Sequence, residues 1–228
     1  MVKQKLKIAI LIQARINSTR LPGKLFFSFF GRSILQRVID ICKEISDTRD
    51  IYILTGPESR NKHIRIISDK ERVKLVYGSE KNVYLRFSNF VKKNKKYKYI
   101  IRVTADNYLI QPKILNDLIN KINFLKYDYL YVKPLSHYSG ELISSKLFLK
   151  NKKPSKLAKE HVTWDFRKNK KIKKFYFDKK YLGLDHKNSL TLDTLEDLIL
   201  LKKIEKDYPK LKKLNNYRFL RMLWKIYV

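Results

Sequence analysis

A loop near the start of the chain carries the first side chains able to do chemistry. The run from Gln13 to Lys24 sets three fixed cations, Arg15, Arg20 and Lys24, beside the hydroxyls of Ser18 and Thr19 and a Pro22–Gly23 turn. Guanidinium forks, an ammonium and backbone amides in such a loop can wrap a triphosphate. It is not a Walker loop, because the glycines and the Lys-Ser/Thr pair are missing. A solvated basic loop would have the same composition, so the loop alone leaves both readings open. Two carboxylates, Asp106 and Asp193, follow apolar runs that end at Val103 and Leu192. Carboxylates suit Mg²⁺, a hard cation, and they suit helix caps and turns equally well. The four histidines and single cysteine are scattered, so nothing points to a His/Cys metal site or a Ser-His-Asp triad.

Placing these residues needs a sheet. Leu6 to Ile12 is a continuous apolar run suited to a central parallel strand. Asp50 to Thr55, Val73 to Tyr77, Tyr99 to Val103, Tyr127 to Val132, Ile172 to Phe177 and Ser189 to Leu192 read as further strands. Between them, helices are expected after Ser33 (with Gln36 completing a capping box), over Arg60–Ser68, Asn82–Lys92, Lys113–Phe124 and Thr194–Glu205. Cys42 falls on the apolar face of the first helix, as a core residue and not a nucleophile. Pro154–Ser155 opens a helix running towards Arg167, and Lys133 to Lys153 reads as less regular. Arg86 is expected to tie its helix to the first loop through a salt bridge. This alternation predicts a three-layer α/β fold, a mostly parallel sheet with helices on both faces. One domain, 1–228, is expected, with a less regular region at about 133–187. In such sheets ligands sit at the carboxyl ends of the strands, which is where the loop, Asp106 and Asp193 fall.

Composition narrows the class. The chain has 228 residues, 44% of them hydrophobic, which suffices for a core and excludes disorder by composition. Its 52 Lys plus Arg against 21 Asp plus Glu give a formal charge of +31. Abundant Lys, Asn, Ile and Tyr point to an AT-rich coding bias, although lysines cluster at Lys92–Lys98 and Lys168–Lys174. Neither cluster carries a nucleic-acid motif, so a basic polyanion or nucleic-acid binder stands as an alternative. No apolar run approaches the roughly 20 residues of a membrane span, and Leu6 to Ile12 does not read as a signal peptide. With Cys42 as the only cysteine, a cytoplasmic address is expected. The apolar tail, Tyr217 to Val228, suggests a homodimer contact.

The motifs together resemble the sugar cytidylyltransferases. The nearest group in form is the spore-coat polysaccharide type, related to the synthetases of CMP-deoxyoctulosonate and CMP-sialic acid. Ala14–Arg15 followed by Ser18 to Lys24 is similar to their Ala-Arg…Ser-Thr-Arg-Leu-Pro-Gly-Lys signature. Gly78-Ser79-Glu80 with Val83, Arg86 and Phe87, then Arg102-Val103-Thr104-Ala105-Asp106, then Gly140–Glu141, Glu160-His161-Val162-Thr163 and Asp193-Thr194-Leu195-Glu196-Asp197-Leu198 follow in the family's order. The resemblance spans roughly Lys7 to Ile204. Ala105, Tyr108, Gln111 and Leu195 depart from it, standing where the family has glycine, proline, an acid and proline.

The resemblance implies a Rossmann-like nucleotide-diphospho-sugar transferase fold. It implies transfer of CMP from CTP to a sugar or sugar phosphate, with loss of pyrophosphate, in surface polysaccharide or glycoconjugate synthesis. Arg15, Lys24 and Asp106 take the catalytic roles. Gln13, Ala14, Arg15, Ser18, Thr19, Arg20, Lys24 and Arg102 would hold the nucleotide, and Glu141, Glu160 and His161 the sugar. Asp106 and Asp193 would hold Mg²⁺. Arg20 has an alternative role as partner to a nearby acid. The departures motivate a second alternative, a degenerate relative that binds nucleotide without turnover.

Overall fold

In the computed structural model, residues 6–45, 50–124, 126–133, 139–178 and 191–209 are described. Their centre is a seven-stranded sheet: β1 (Ile8–Gln13), β4 (Asp50–Thr55), β5 (Lys74–Tyr77), β6 (Tyr99–Thr104), β7 (Tyr129–Lys133), β8 (Glu141–Ser144) and β9 (Lys174–Asp178). Its strand order is β5-β4-β1-β6-β8-β7-β9. All pairings are parallel except those of β8, which runs antiparallel to both β6 and β7. After β1 the chain builds outward through β4 and β5, then returns to lay β6 on the other side of β1. That reversal opens a crevice between the carboxyl ends of β1 and β6, where α/β sheets bind ligands.

Alternate residues of β1 feed two cores. Ile8, Ile10 and Ile12 join α1 (Ile34–Lys43), α2 (Glu58–Lys70), α4 (Pro112–Phe124) and α8 (Leu195–Asp207) on one face. Ala9 and Leu11 face α3 (Val83–Lys93), α5 (Ser145–Lys150), α6 (Lys156–Glu160) and α7 (Trp164–Lys168) on the other. Each fully buried Leu or Ile contributes roughly 1.5–3 kcal/mol, so the sheet is held from both sides. Cys42 is fully buried on the inner face of α1. The expected capping box is present: Gln36 N donates to Ser33 Oγ (3.3 Å), and Ser33 N to Gln36 Oε1 (3.0 Å). A small hairpin, β2 (Ser28–Phe29) and β3 (Arg32–Ser33), turns through Phe30 and Gly31, both at positive φ.

Three sequence expectations need correction. Lys133–Lys153 is not irregular where it is described: it carries β8 and α5, and β8 inserts between β6 and β7. Gly140 makes that insertion possible, because a Cβ there would lie 2.7 Å from the Arg102 carbonyl oxygen. The helix expected from Pro154 to Arg167 is two short helices, α6 and α7, broken at His161-Val162-Thr163. Thr191 and Leu192 are not in a strand, and Ser189 and Leu190 lie outside the described residues, as does the tail from Tyr217. Among the described residues no helix is long and apolar enough to cross a membrane.

Candidate active site

The loop after β1 is held by backbone before any side chain acts. Gln13 O accepts from Ala105 N (3.0 Å) on the β6 side, and Ala14 N donates to Leu54 O (3.0 Å) on the β4 side. Arg86 lies beneath, 4% exposed, and its Nη1 donates to the carbonyls of Ala14 and Leu54 (3.2 Å each). The helix is therefore tied to the loop through carbonyl oxygens and not through the expected salt bridge. Burial lowers the Arg86 pKa to about 10. Asn61, at a kink inside α2, accepts from Ile16 N (3.1 Å) and fixes the middle of the loop. Gly23, at φ 69°, then turns the chain into a short 3-10 helix, Lys24–Phe26, which buries the Lys24 stem.

Lys24 Nζ lies 2.5 Å from Asp106 Oδ2 and 2.6 Å from Asp193 Oδ1. Arg20 reaches the other oxygen of Asp193 at 2.9 Å. These four groups, from three segments far apart in sequence, sum to zero charge around one ammonium. Neither aspartate serves as a helix cap. Thr194 caps α8, with Asp197 accepting from the backbone N–H groups of both Asp193 and Thr194 (2.7 and 2.8 Å). That leaves the Asp193 carboxylate to face Lys24.

On the β6–β8 side, Arg102 donates twice to Gln13 Oε1 (2.9 and 3.1 Å) and once to Glu141 Oε2 (2.5 Å). Glu141, 3% exposed, also accepts from the Tyr129 hydroxyl and from Thr163 Oγ1 (2.8 Å). Burial and the adjacent Glu141 carboxylate raise the Tyr129 pKa, keeping its hydroxyl a donor. Thr163 sits in the break between α6 and α7, so Glu141 also anchors the segment that carries Glu160 and His161.

All the residues expected at the site except Glu141 line one cleft of about 350 Å³. The loop supplies Gln13, Ala14, Arg15, Ser18, Thr19, Arg20 and Lys24; β6 and its turn supply Arg102 and Asp106; Asp193 enters ahead of α8. Glu160 and His161, both exposed, close the far side. Glu141 stands behind Arg102, buried, and does not line the cleft. Sequence reading missed Asn61 and Tyr129, whose types carry no signal without their partners, and gave Thr163 no role beyond its place in the Glu160-His161-Val162-Thr163 motif. The family departures are accommodated. Ala105 needs no positive φ, Tyr108 packs edge-on against Phe29, Gln111 is buried with Nε2 on Leu109 O, and Leu195 is exposed at the start of α8.

A mostly parallel sheet with a cationic loop and two carboxylates at its switch point defines a nucleotidyltransferase-type site. Residues 9–224 match the sequence model of the cytidylyltransferases. The chain belongs to the cytidylyltransferase family. It is 29% identical over 212 residues to protein MJ1063 of Methanocaldococcus jannaschii, covering 89% of this chain and 85% of that one. It is 27% identical over 202 residues to the spore coat polysaccharide biosynthesis protein SpsF of Bacillus subtilis, covering 83% and 82%. The solved structure of a cytidylyltransferase from Leptospira borgpetersenii superposes with a TM-score of 0.84 at 26% identity, over 96% of this chain and 94% of that chain.

Proposed function

We propose that the protein transfers CMP from CTP to a sugar or sugar-phosphate oxygen, releasing pyrophosphate, for surface polysaccharide or glycoconjugate synthesis. The carrying observation is the Lys24 ammonium held between Asp106 and Asp193 inside the signature-loop cleft. In the transfer, the acceptor oxygen bonds to the α-phosphorus, the bond from that phosphorus to the α–β bridging oxygen breaks, and pyrophosphate leaves with that electron pair; a hydroxyl acceptor gives up its proton to solvent. Arg15, Arg20 and Lys24 neutralise the triphosphate and its leaving group. Ser18 and Thr19 add hydroxyl donors, and Gln13 and Ala14 border the nucleoside. Arg102 keeps one donor hydrogen on each of Nη1 and Nη2 for ligand oxygens, because its bonds to Gln13 and Glu141 use only three of five.

The donor set fits a divalent cation. Asp106 and Asp193 already converge on one positive group, both offer hard oxygens, and no third His, Cys, Asp or Glu joins them among the described residues. Mg²⁺ takes few carboxylates and completes its shell with phosphate oxygens and water. When bound, it would supply charge neutralisation and a template for the phosphates. Binding is thus an exchange: the triphosphate takes Lys24 and Arg20, and releases the two carboxylates.

Glu160 and His161 border the acceptor side, and Glu141 acts through Arg102 instead of touching the sugar. Pyrophosphate release should be measured with Mg²⁺, each of the four ribonucleoside triphosphates, and a panel of sugars and sugar 1-phosphates. Release with CTP that depends on one acceptor is the expected result. Absence of CTP binding by calorimetry would sink the proposal.

A further inference from the structure

Segment 145–174 holds twelve basic residues and two acidic ones, a net +10 in 30 residues of a chain whose total is +31 in 228. A coding bias towards lysine would spread evenly; here about a third of the net charge occupies about an eighth of the chain. Both acids are engaged elsewhere. Asp165 accepts from Ser155 and Asn151, and Glu160 lines the active-site cleft. The lysines also have company. Leu85, Leu149 and Leu157 are 40%, 41% and 49% exposed, and they come from α3 and from α5 and α6, which both pack against α3. Leu85 and Leu149 line an open cleft of about 640 Å³ together with Lys92, Lys152, Lys153 and Lys159.

We infer that this outer face of α3, α5 and α6 docks on an anionic lipid bilayer. Leucines ringed by long, flexible ammonium side chains match the boundary between acyl chains and phosphate headgroups. The charges are almost all lysine, point charges without the fork that reads base edges and fixed phosphate geometry. Among the described residues the one indole is the half-buried Trp164 in α7, which packs on α6, and Arg167 and Lys168 lie over its ring, so it offers no free platform for base stacking. Helix α6 runs from this surface to the active site: Lys159 lines the outer cleft and Glu160 the nucleotide cleft. A docked molecule would hold its catalytic cleft beside the bilayer.

The test is co-sedimentation of the full chain with phosphatidylcholine vesicles, with and without phosphatidylglycerol, at an ionic strength of about 0.15 M. The protein should pellet with the anionic vesicles alone. The triple variant K152E/K153E/K156E should partition about a hundredfold more weakly, with an unchanged thermal midpoint. Leu149→Ser combined with Leu157→Ser should bind at low salt and lose binding at about 0.15 M. Protein left in the supernatant with anionic vesicles, or either variant binding as the parent does, overturns the inference. So does single-stranded RNA that strips the protein from vesicles at equal phosphate, which would make the face a nucleic-acid site. None of these readouts involves CTP, so failure here leaves the cytidylyl-transfer proposal standing.

Discussion

On the β1 side the cleft takes its cations from one unbroken run, Arg15 to Lys24, and meets them with carboxylates still partly open to water. On the β6–β8 side the single cation, Arg102, is held by Glu141, which is held in turn by Tyr129 and Thr163, all drawn from separate elements and largely buried. The first arrangement can trade its ion pairs for a ligand. The second is closed around Glu141, so Arg102 keeps its place and offers a ligand only its two remaining donor hydrogens. The contrast lies in the carboxylates: those that must exchange partners, Asp106 and Asp193, are kept near solvent, whereas Glu141, which must hold a direction, is desolvated and bonded through both oxygens.

The comparison breaks most readily at Asp106. Asp106→Ala should lower turnover by about 10³-fold with little change in thermal midpoint, measured by pyrophosphate release and calorimetry. Retention of parental turnover would remove Asp106 from the cation site. Glu141→Ala should behave in the opposite way. It strands Arg102 and the Tyr129 hydroxyl, so stability should fall by about 3 kcal/mol. Glu141→Gln should recover part of that stability while CTP KM stays raised more than acceptor KM, because Arg102 is the residue that it positions. Equal rises in both KM values would mean that Glu141 does not act through Arg102.

Glu71 gives a reference point outside the cleft. Burial opposes its ionisation, but hydrogen bonds from Arg32, Lys43 and Gln36 outweigh this and lower its pKa to about 2. A carboxylate with a depressed folded pKa adds stability above its unfolded value of 4.5, and loses it as pH falls towards 2. Glu71→Gln should therefore cost about 1–2 kcal/mol at neutral pH, with the difference from the parent shrinking between pH 4.5 and 2 in acid unfolding curves. The smallest effect is expected at Leu195. Leu195→Pro restores the family residue at the first position of α8, where proline is tolerated, so stability should move by less than about 0.5 kcal/mol and turnover should not change.

The same contrast explains what could be read from sequence. The β1 loop was legible because its residues are consecutive, and Asp106 and Asp193 because they come within three residues of the ends of apolar runs. The continuous apolar run from Leu6 to Ile12 likewise announced a buried central strand. Glu141 was picked out by its place in the family pattern and Thr163 stood in that pattern without a role, whereas a lone Tyr129 has no local signature. Strand β8 escaped because four residues, Glu-Leu-Ile-Ser, gain strand geometry only by pairing on both sides. The break in the helix from Pro154 escaped for a related reason: Thr163 turns inward to a carboxylate 22 residues away in the chain.

Cys42 has a practical consequence. It is the chain's only thiol, it is fully buried in α1, and burial raises its pKa. A water-soluble disulfide reagent can reach it only when the α1 layer opens, so the labelling rate reports opening frequency without any engineered probe. Because α1 packs on the short helix that begins at Lys24, the nucleotide binding proposed at that lysine should slow the labelling, giving a ligand assay that needs neither an acceptor nor a product.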